Sequence, residues 1–417
     1  MKNKNFSLVK LVIANLVSSL GIGITMISIP WFLINKQNGD QLYGYLMFLV
    51  TFLTFFSSPY VGVLLDRFSR KKIFLILEGA SCIAAGLLGL VQWLYSTSTS
   101  IWIIVLVYII GSLYYNFFYQ TRFAFVQEAF KTEEYKKVNN ALEVQGQISI
   151  LLIGGVTTLL LDKVNLYHLL FFNFITYLIG FVLISMIPYQ FVKRESLVTK
   201  KSVVSDLREG LQFFRTSPLF TLFLICSFFP FLVSLIANYL HPVYIVKVLN
   251  ADASILGLLS IYSAIGALVA GVGIPILSKK LKDFTLLKIS MIALSGLFGT
   301  LIFVKSTFLF LIVLSVISIF TTWNIITRNT ILMSKIPSEL MGRTNAYLSA
   351  FGTVIRLMLI GLFTVLNGSF SILYSFFVLT IIFILAFAGL YVSKASIEDT
   401  TIGQEKNMKE IYPKGVL

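Results

Sequence analysis

Apolar residues in this chain gather into long runs of about 20, joined by short polar connections, and the runs follow one another almost from end to end. Runs of that length satisfy their own backbone N–H and C=O groups in hydrocarbon only as helices. The pattern predicts helices near Leu8–Ile34, Tyr43–Leu65, Ile73–Tyr95, Ile101–Tyr119, Ala141–Leu161 and Leu166–Ile187. After a polar stretch it predicts six more, near Leu219–Val246, Ile255–Leu277, Leu286–Val304, Phe308–Ile326, Tyr347–Leu366 and Ile372–Val392. The expected class is therefore an all-α membrane protein with twelve transmembrane helices. Residues 1–187 form a first six-helix bundle, 188–218 a connector, 219–393 a second bundle and 394–417 a tail.

Composition agrees: 57% of the residues are hydrophobic and 12% charged, too apolar for a water-soluble chain of 417 residues. An even number of crossings puts both termini on one side. Of the 33 Lys and Arg residues, 28 fall on the alternate connections that include the termini, four (Lys36, Lys163, Lys247 and Lys305) on the opposite side, and Arg356 inside a helix. By the positive-inside rule both ends face the cytoplasm of a multi-pass cell-membrane protein. The net charge of +15 is thereby read as membrane topology rather than nucleic-acid binding, because it is spread over loops beside lipid headgroups. The first run is too long for a signal-peptide core and no cleavage site follows it, so an uncleaved first helix is expected. Cys82 and Cys226 both fall in apolar helices and offer neither a disulfide framework nor metal spacing.

The break between Pro188 and Pro218 carries Lys193, Arg194, Glu195, Lys200, Lys201, Asp206, Arg208, Glu209 and Arg215. Matches recur across it at nearly constant offset: Pro30 with Pro242 (212), Gly44 with Gly257 (213), Arg122 with Arg328 (206) and Asn140 with Asn345 (205). The second half reads as a diverged copy of the first. Each copy has an even number of helices, so both enter the membrane in the same direction and are related by a pseudo-twofold axis along its normal. Matched bundles around a central axis point to transport, since a site between them can face either side when they rock.

The connection between the second and third helices reads Gly62-Val-Leu-Leu-Asp66-Arg67-Phe-Ser69-Arg70-Lys71-Lys72. This resembles the signature loop of the major facilitator superfamily, and with the six-plus-six plan the resemblance extends over essentially the whole chain. The resemblance implies that Asp66 charges the start of the eleventh helix in the outward-facing state while the basic residues tie it to neighbouring acids. The gating set it suggests is Asp66, Arg67, Arg70, Lys71, Arg122, Glu128 and Arg328. Ser69 stands where Gly is usual, and the second-half counterpart around Ser278-Lys279-Lys280 lacks the Asp. The stretch from Phe118 through Arg122, Glu128 and Glu133-Glu134 to Val138-Asn-Asn140-Ala-Leu142 is similar to exporters of macrolides and of catecholate siderophores. Asn324–Arg328, Ile336–Glu339 and Gly342–Ala346 resemble the same group. The Gly-Pro pair of antiporters is reduced to Gly154-Gly155.

By the same resemblance helices one, four, seven and ten line a central cavity. Their polar positions group by helical face: Asn15, Ser18 and Ser19; Asn116, Tyr119 and Gln120; Ser234, Asn238 and His241; Asn324 and Thr327. Each one alone reads equally well as a bond between helices. Arg356 lies 13 residues beyond Arg343, about 20 Å along a helix. With Ser349 and Thr353 it either meets an anionic group of the cargo or pairs with a carboxylate across the bundle. Glu78 is an acid set into a helix, read as packing beneath the Asp66 loop or as a proton carrier. The expected cargo site is Asn15, Ser19, Asn116, Tyr119, Gln120, Asn238, His241, Asn324, Thr327 and Arg356, with Glu78 for proton coupling.

The expectation is a secondary active exporter, driven by inward proton flow, with no cofactor, no metal and no nucleic acid. It is expected to work as a monomer on an amphipathic small molecule, a siderophore favoured over a macrolide-like drug whose export confers antibiotic resistance. No G-x-x-x-x-G-K-[ST] loop supplies ATP binding. A lysophospholipid flippase is the rival within transport. A polytopic enzyme or sensor is the rival outside it, set back by having two histidines and no sizeable soluble domain.

Overall fold

The computed structural model describes residues 2–95, 100–131, 134–161, 163–189, 218–335 and 338–394, so the connector and the tail lie outside the described residues. Among these are α1 (Lys2–Ile34), α2 (Gly39–Arg67), α3 (Arg70–Leu94), α4 (Ile101–Ala129), α5 (Tyr135–Leu160) and α6 (Leu166–Ser185). They are followed by α7 (Pro218–Lys247), α8 (Ser254–Leu277), α9 (Asp283–Thr300), α10 (Thr307–Lys335), α11 (Ser338–Ser369) and α12 (Leu373–Val392). All twelve are long and apolar enough to cross a membrane. Several run past their apolar cores. α4 has 29 residues, about 44 Å at 1.5 Å per residue against a hydrocarbon thickness of about 30 Å. Its last turns carry Arg122 and Glu128.

The bundles are apolar on the outside as well as through most of the inside, and the polar side chains within the spans are turned inward. On α3, Ile76, Ile83, Leu87, Leu90 and Leu94 are exposed, while Glu78, Ser81 and Gln92 are buried on the opposite side. That is the arrangement lipid rewards, because only the interior offers partners to a polar group. Local chemistry sets several ends. Ser69 is the N-cap of α3, its hydroxyl accepting from the Lys72 N–H at 3.3 Å, which explains a serine at this turn. At α6 the Asn165 and His168 side chains form a reciprocal capping box, with the Asn165 N–H donating to His168 Nδ1 at 3.2 Å.

Contacts divide the chain into two compact units. One holds α1–α6 together with His241–Ala264; the other holds the remainder of α7 and α8 with α9–α12. In the first, α3 packs on α4 and α6, and α1 on α5 and α6. In the second, α9 packs on α10 and α12, so the third helix of each six has the same neighbours. The connections also repeat. Asn38, after α1, and Asn250, after α7, both have left-handed backbones, with φ of 55° and 46°, a conformation asparagine tolerates better than most residues. They stand at the same offset as the two prolines, and each is followed two residues later by an aspartate, Asp40 and Asp252.

Within the first unit α5 and α8 meet at glycines. A Cβ at Gly257 would overlap Thr158 and the Gly154 carbonyl, and a Cβ at Gly154 would strike Gly257 and Ile261. This gives Gly154 a packing role. Gly257→Val is expected to destabilise by about 1–3 kcal/mol through overpacking, read as a lower thermal unfolding midpoint in detergent. Gly155→Ala, where a Cβ meets nothing within 4 Å, should change it little.

Candidate functional site

Glu78 is the centre of the first bundle. It is 0% exposed and sits on α3, facing α1 and α4. Its Oε1 accepts from the Tyr114 hydroxyl at 3.0 Å and from Ser18 Oγ at 3.1 Å, and its Oε2 lies 3.3 Å from the same Ser18 oxygen. Tyr177 of α6 packs on Tyr114 with ring centroids 4.6 Å apart. A Cβ at Gly180 would press on Ser18 and Glu78, so this glycine lets α6 close over the carboxylate. Among the described residues no basic side chain forms an ion pair with Glu78. Further along α3 is a small, mostly apolar cavity whose polar lining is Thr25, Ser81, Asn173 and Tyr177, where Asn173 donates to Thr25 Oγ1 at 2.7 Å.

A second network closes the end of this bundle where α3 begins. Arg70 Nη1 donates to the Ala124 carbonyl at 2.7 Å, and its Nε lies 3.7 Å from Glu128 Oε2. The Tyr189 hydroxyl donates to Glu128 and accepts from the Arg70 N–H at 3.1 Å. Burial, with the bond to Glu128, pushes the Tyr189 phenol above its ordinary value, so it stays a donor. Lys71 Nζ donates to the carbonyls of Ser185 and Ile187, both at 2.7 Å, beyond the last turn of α6 where cations are favoured. Of the expected gating residues, Arg70, Lys71 and Glu128 thus meet in one place, joined by Tyr189. Arg67 is exposed. The Asp66 side chain, like those of Arg343 and Asn345, lies outside the described residues.

The expected cargo residues fall into different surroundings. Asn15 is buried, and neither of its amide atoms has a partner; Ser19 is half-buried. Gln120 Nε2 bridges Asn116 Oδ1 at 3.0 Å and Ser58 Oγ at 3.1 Å, tying α4 to α2. Tyr119 is 57% exposed, and the Arg122 guanidinium lies over its ring at 4.4 Å. Tyr115, one turn away, is also exposed, whereas Tyr108 is buried against Tyr43. Asn238 is exposed and His241 half-buried on α7.

In the second unit, Asn324 is 0% exposed and donates to Ser290 Oγ at 3.2 Å. Thr327 is buried beside it, and Arg328 is buried with its guanidinium 4.8 Å from the centre of the Phe228 ring. Arg356 is half-buried on α11, one turn beyond Gly352, where a Cβ would overlap Phe228.

One pair was invisible in the sequence. Lys247, in the last turn of α7, holds Asp40, in the first turn of α2, at 2.5 Å, with the aspartate 5% and the lysine 45% exposed. Each charge sits at the helix end that favours its sign. No cluster of three or more side chains suited to a metal ion occurs among the described residues.

The model of the Major Facilitator Superfamily matches residues 11–360. Comparison with curated proteins returns no match. Among solved structures the chain is similar to the POT family transporter PepTSo, at 11% identity and a TM-score of 0.71, covering 94% of this chain and 98% of that one. It is similar to a bacterial homologue of the iron transporter ferroportin in an inward-facing state, at 15% identity, TM-score 0.69, and 93% and 98% coverage. It is similar to the D-xylose-proton symporter at 14% identity, TM-score 0.67, and 93% and 97% coverage. At such identities the likeness establishes the fold.

Proposed function

From the premise that the chain belongs to the Major Facilitator Superfamily, and is thus a multi-pass membrane transporter rather than an enzyme, we propose that it is a proton-driven exporter of an amphipathic small molecule. The single observation that carries proton coupling is Glu78, sealed in the first bundle with hydroxyl donors and no cationic partner among the described residues. A charge buried in a membrane span is costly, and the hydrogen bonds from Ser18 and Tyr114 offset part of that cost, so a carboxyl in this position can hold or release a proton.

Export is supported by the resemblance of the runs from Phe118 to Leu142 and from Asn324 to Ala346 to macrolide and siderophore exporters. The cargo favoured is a siderophore, met by polar faces on α1, α4, α7 and α10 and by Arg356. Alternating access of the two halves about a central pathway is the proposed mechanism, with Asp66, Arg67, Arg70, Lys71, Arg122 and Glu128 as the gating group. Both termini are placed in the cytoplasm on the strength of the Lys and Arg asymmetry.

In proteoliposomes with an imposed pH gradient, cargo is expected to accumulate in the acidic compartment while protons leave it. Cargo moving with the protons would turn the reading to uptake, and movement indifferent to the gradient would remove proton coupling. In cells, deleting the gene should trap siderophore inside, and unchanged secretion would refute that choice of cargo.

A further inference from the structure

Arg328 is a buried cation. Its residue is 6% exposed, about seven residues from the end of α10, or about 10 Å along the helix. Nη1 donates to Asn329 Oδ1 at 3.3 Å, while Nε and Nη2 are buried with no partner. Among the described residues no carboxylate pairs with it. Phe228 of α7 covers one face of the guanidinium at 4.8 Å, and α11 closes on the same ring at Gly352. Two more donors on α10 are buried and unpartnered, Thr327 Oγ1 and Trp323 Nε1, and Trp323 stacks on Phe320 at 5.6 Å.

A fully charged guanidinium buried this way is costly unless an anion accompanies it, and a fork with two free edges suits a carboxylate or similar flat oxyanion. The repeat mate offers the contrast. Arg122 stacks on Tyr119 but is only half-buried, beside a ring open to its surroundings, so the two copies have diverged in what their arginine does.

We propose that the two free edges of the Arg328 guanidinium, held in place by Phe228, are the subsite that receives the anionic group of an organic anion. This deepens the cargo assignment above and rests on the reading of α10 as a cargo-lining helix; it gives Arg328 a binding role where its sequence position suggested gating.

The test is equilibrium binding to the full-length protein in lipid nanodiscs, with 2-naphthoate and its neutral counterpart 2-naphthamide as probes. The wild type is expected to bind the carboxylate at least about tenfold more tightly than the amide, a difference of about 1.4 kcal/mol. Arg328→Gln should erase that preference. Arg328→Lys should keep the preference but weaken carboxylate binding several-fold, since a point charge replaces the fork. Lys305→Gln, at an exposed position, should bind as the wild type does. Equal binding of the two probes, no binding of either, a preference that survives in Arg328→Gln, or an Arg328→Lys protein indistinguishable from wild type would overturn the proposal. The assay needs no gradient. A carboxylate preference that depends on Arg328 in a protein that moves no cargo would sink the carrier mechanism and leave the subsite standing.

Discussion

Glu78→Gln is expected to abolish accumulation driven by a pH gradient while leaving cargo exchange down its own concentration gradient intact. The carboxamide nearly matches the carboxylate in volume, and its oxygen still accepts from Ser18 or Tyr114, so the packing of α1, α3, α4 and α6 is preserved. What it loses is a proton to give up. Stability should change by no more than about 1 kcal/mol, the worth of one altered hydrogen bond, so thermal unfolding separates a coupling defect from a folding defect. Full pH-driven accumulation in a well-folded Glu78→Gln protein would reduce Glu78 to a packing residue.

Arg70→Met is expected to give the largest stability loss among the basic residues of the α2–α3 turn, about 3 kcal/mol. The substitution strips the cation from a nearly buried Glu128 and leaves that carboxylate, among the described residues, on the Tyr189 hydroxyl, and breaking one side of a buried ion pair typically costs about 3–5 kcal/mol. Arg67, three residues earlier and exposed, should change stability by less than about 0.5 kcal/mol when replaced by Met. Unfolding midpoints in one detergent read the contrast directly. Equal effects would mean that both arginines act only through charge at the membrane surface.

The helices themselves were legible because a bilayer imposes one length and one apolar requirement on every crossing, so even unaided runs marked them to within a few residues at most ends. The ends that differ, such as α4 beyond Tyr119 and α11 before Tyr347, are polar extensions that need no hydrocarbon and so leave no mark in an apolar run. Pro30 and Pro242 share an offset of 212 with Asn38 and Asn250, and the left-handed turn at each asparagine shows only in the backbone.

Partners were not legible. Ser18 and Tyr114 lie 60 and 36 residues from Glu78, and their meeting depends on how three helices are rotated, which periodicity alone leaves open. The same holds for Arg328 against Phe228 and for Lys247 against Asp40. Tyr189 sits just past α6, where only the structure shows its hydroxyl reaching Glu128 and Arg70.

Transport by alternating access requires a polar pathway that opens in turn to each side of the membrane. Its most direct test is a single cysteine at Asn238, an exposed position on α7, in a protein whose buried Cys82 and Cys226 are replaced by alanine. Membrane-impermeant maleimide, applied to one side of the membrane at a time, should label this cysteine from both sides, with the ratio of the two rates shifted by cargo or by the pH gradient. Labelling from one side only, unmoved by either, would contradict alternating access.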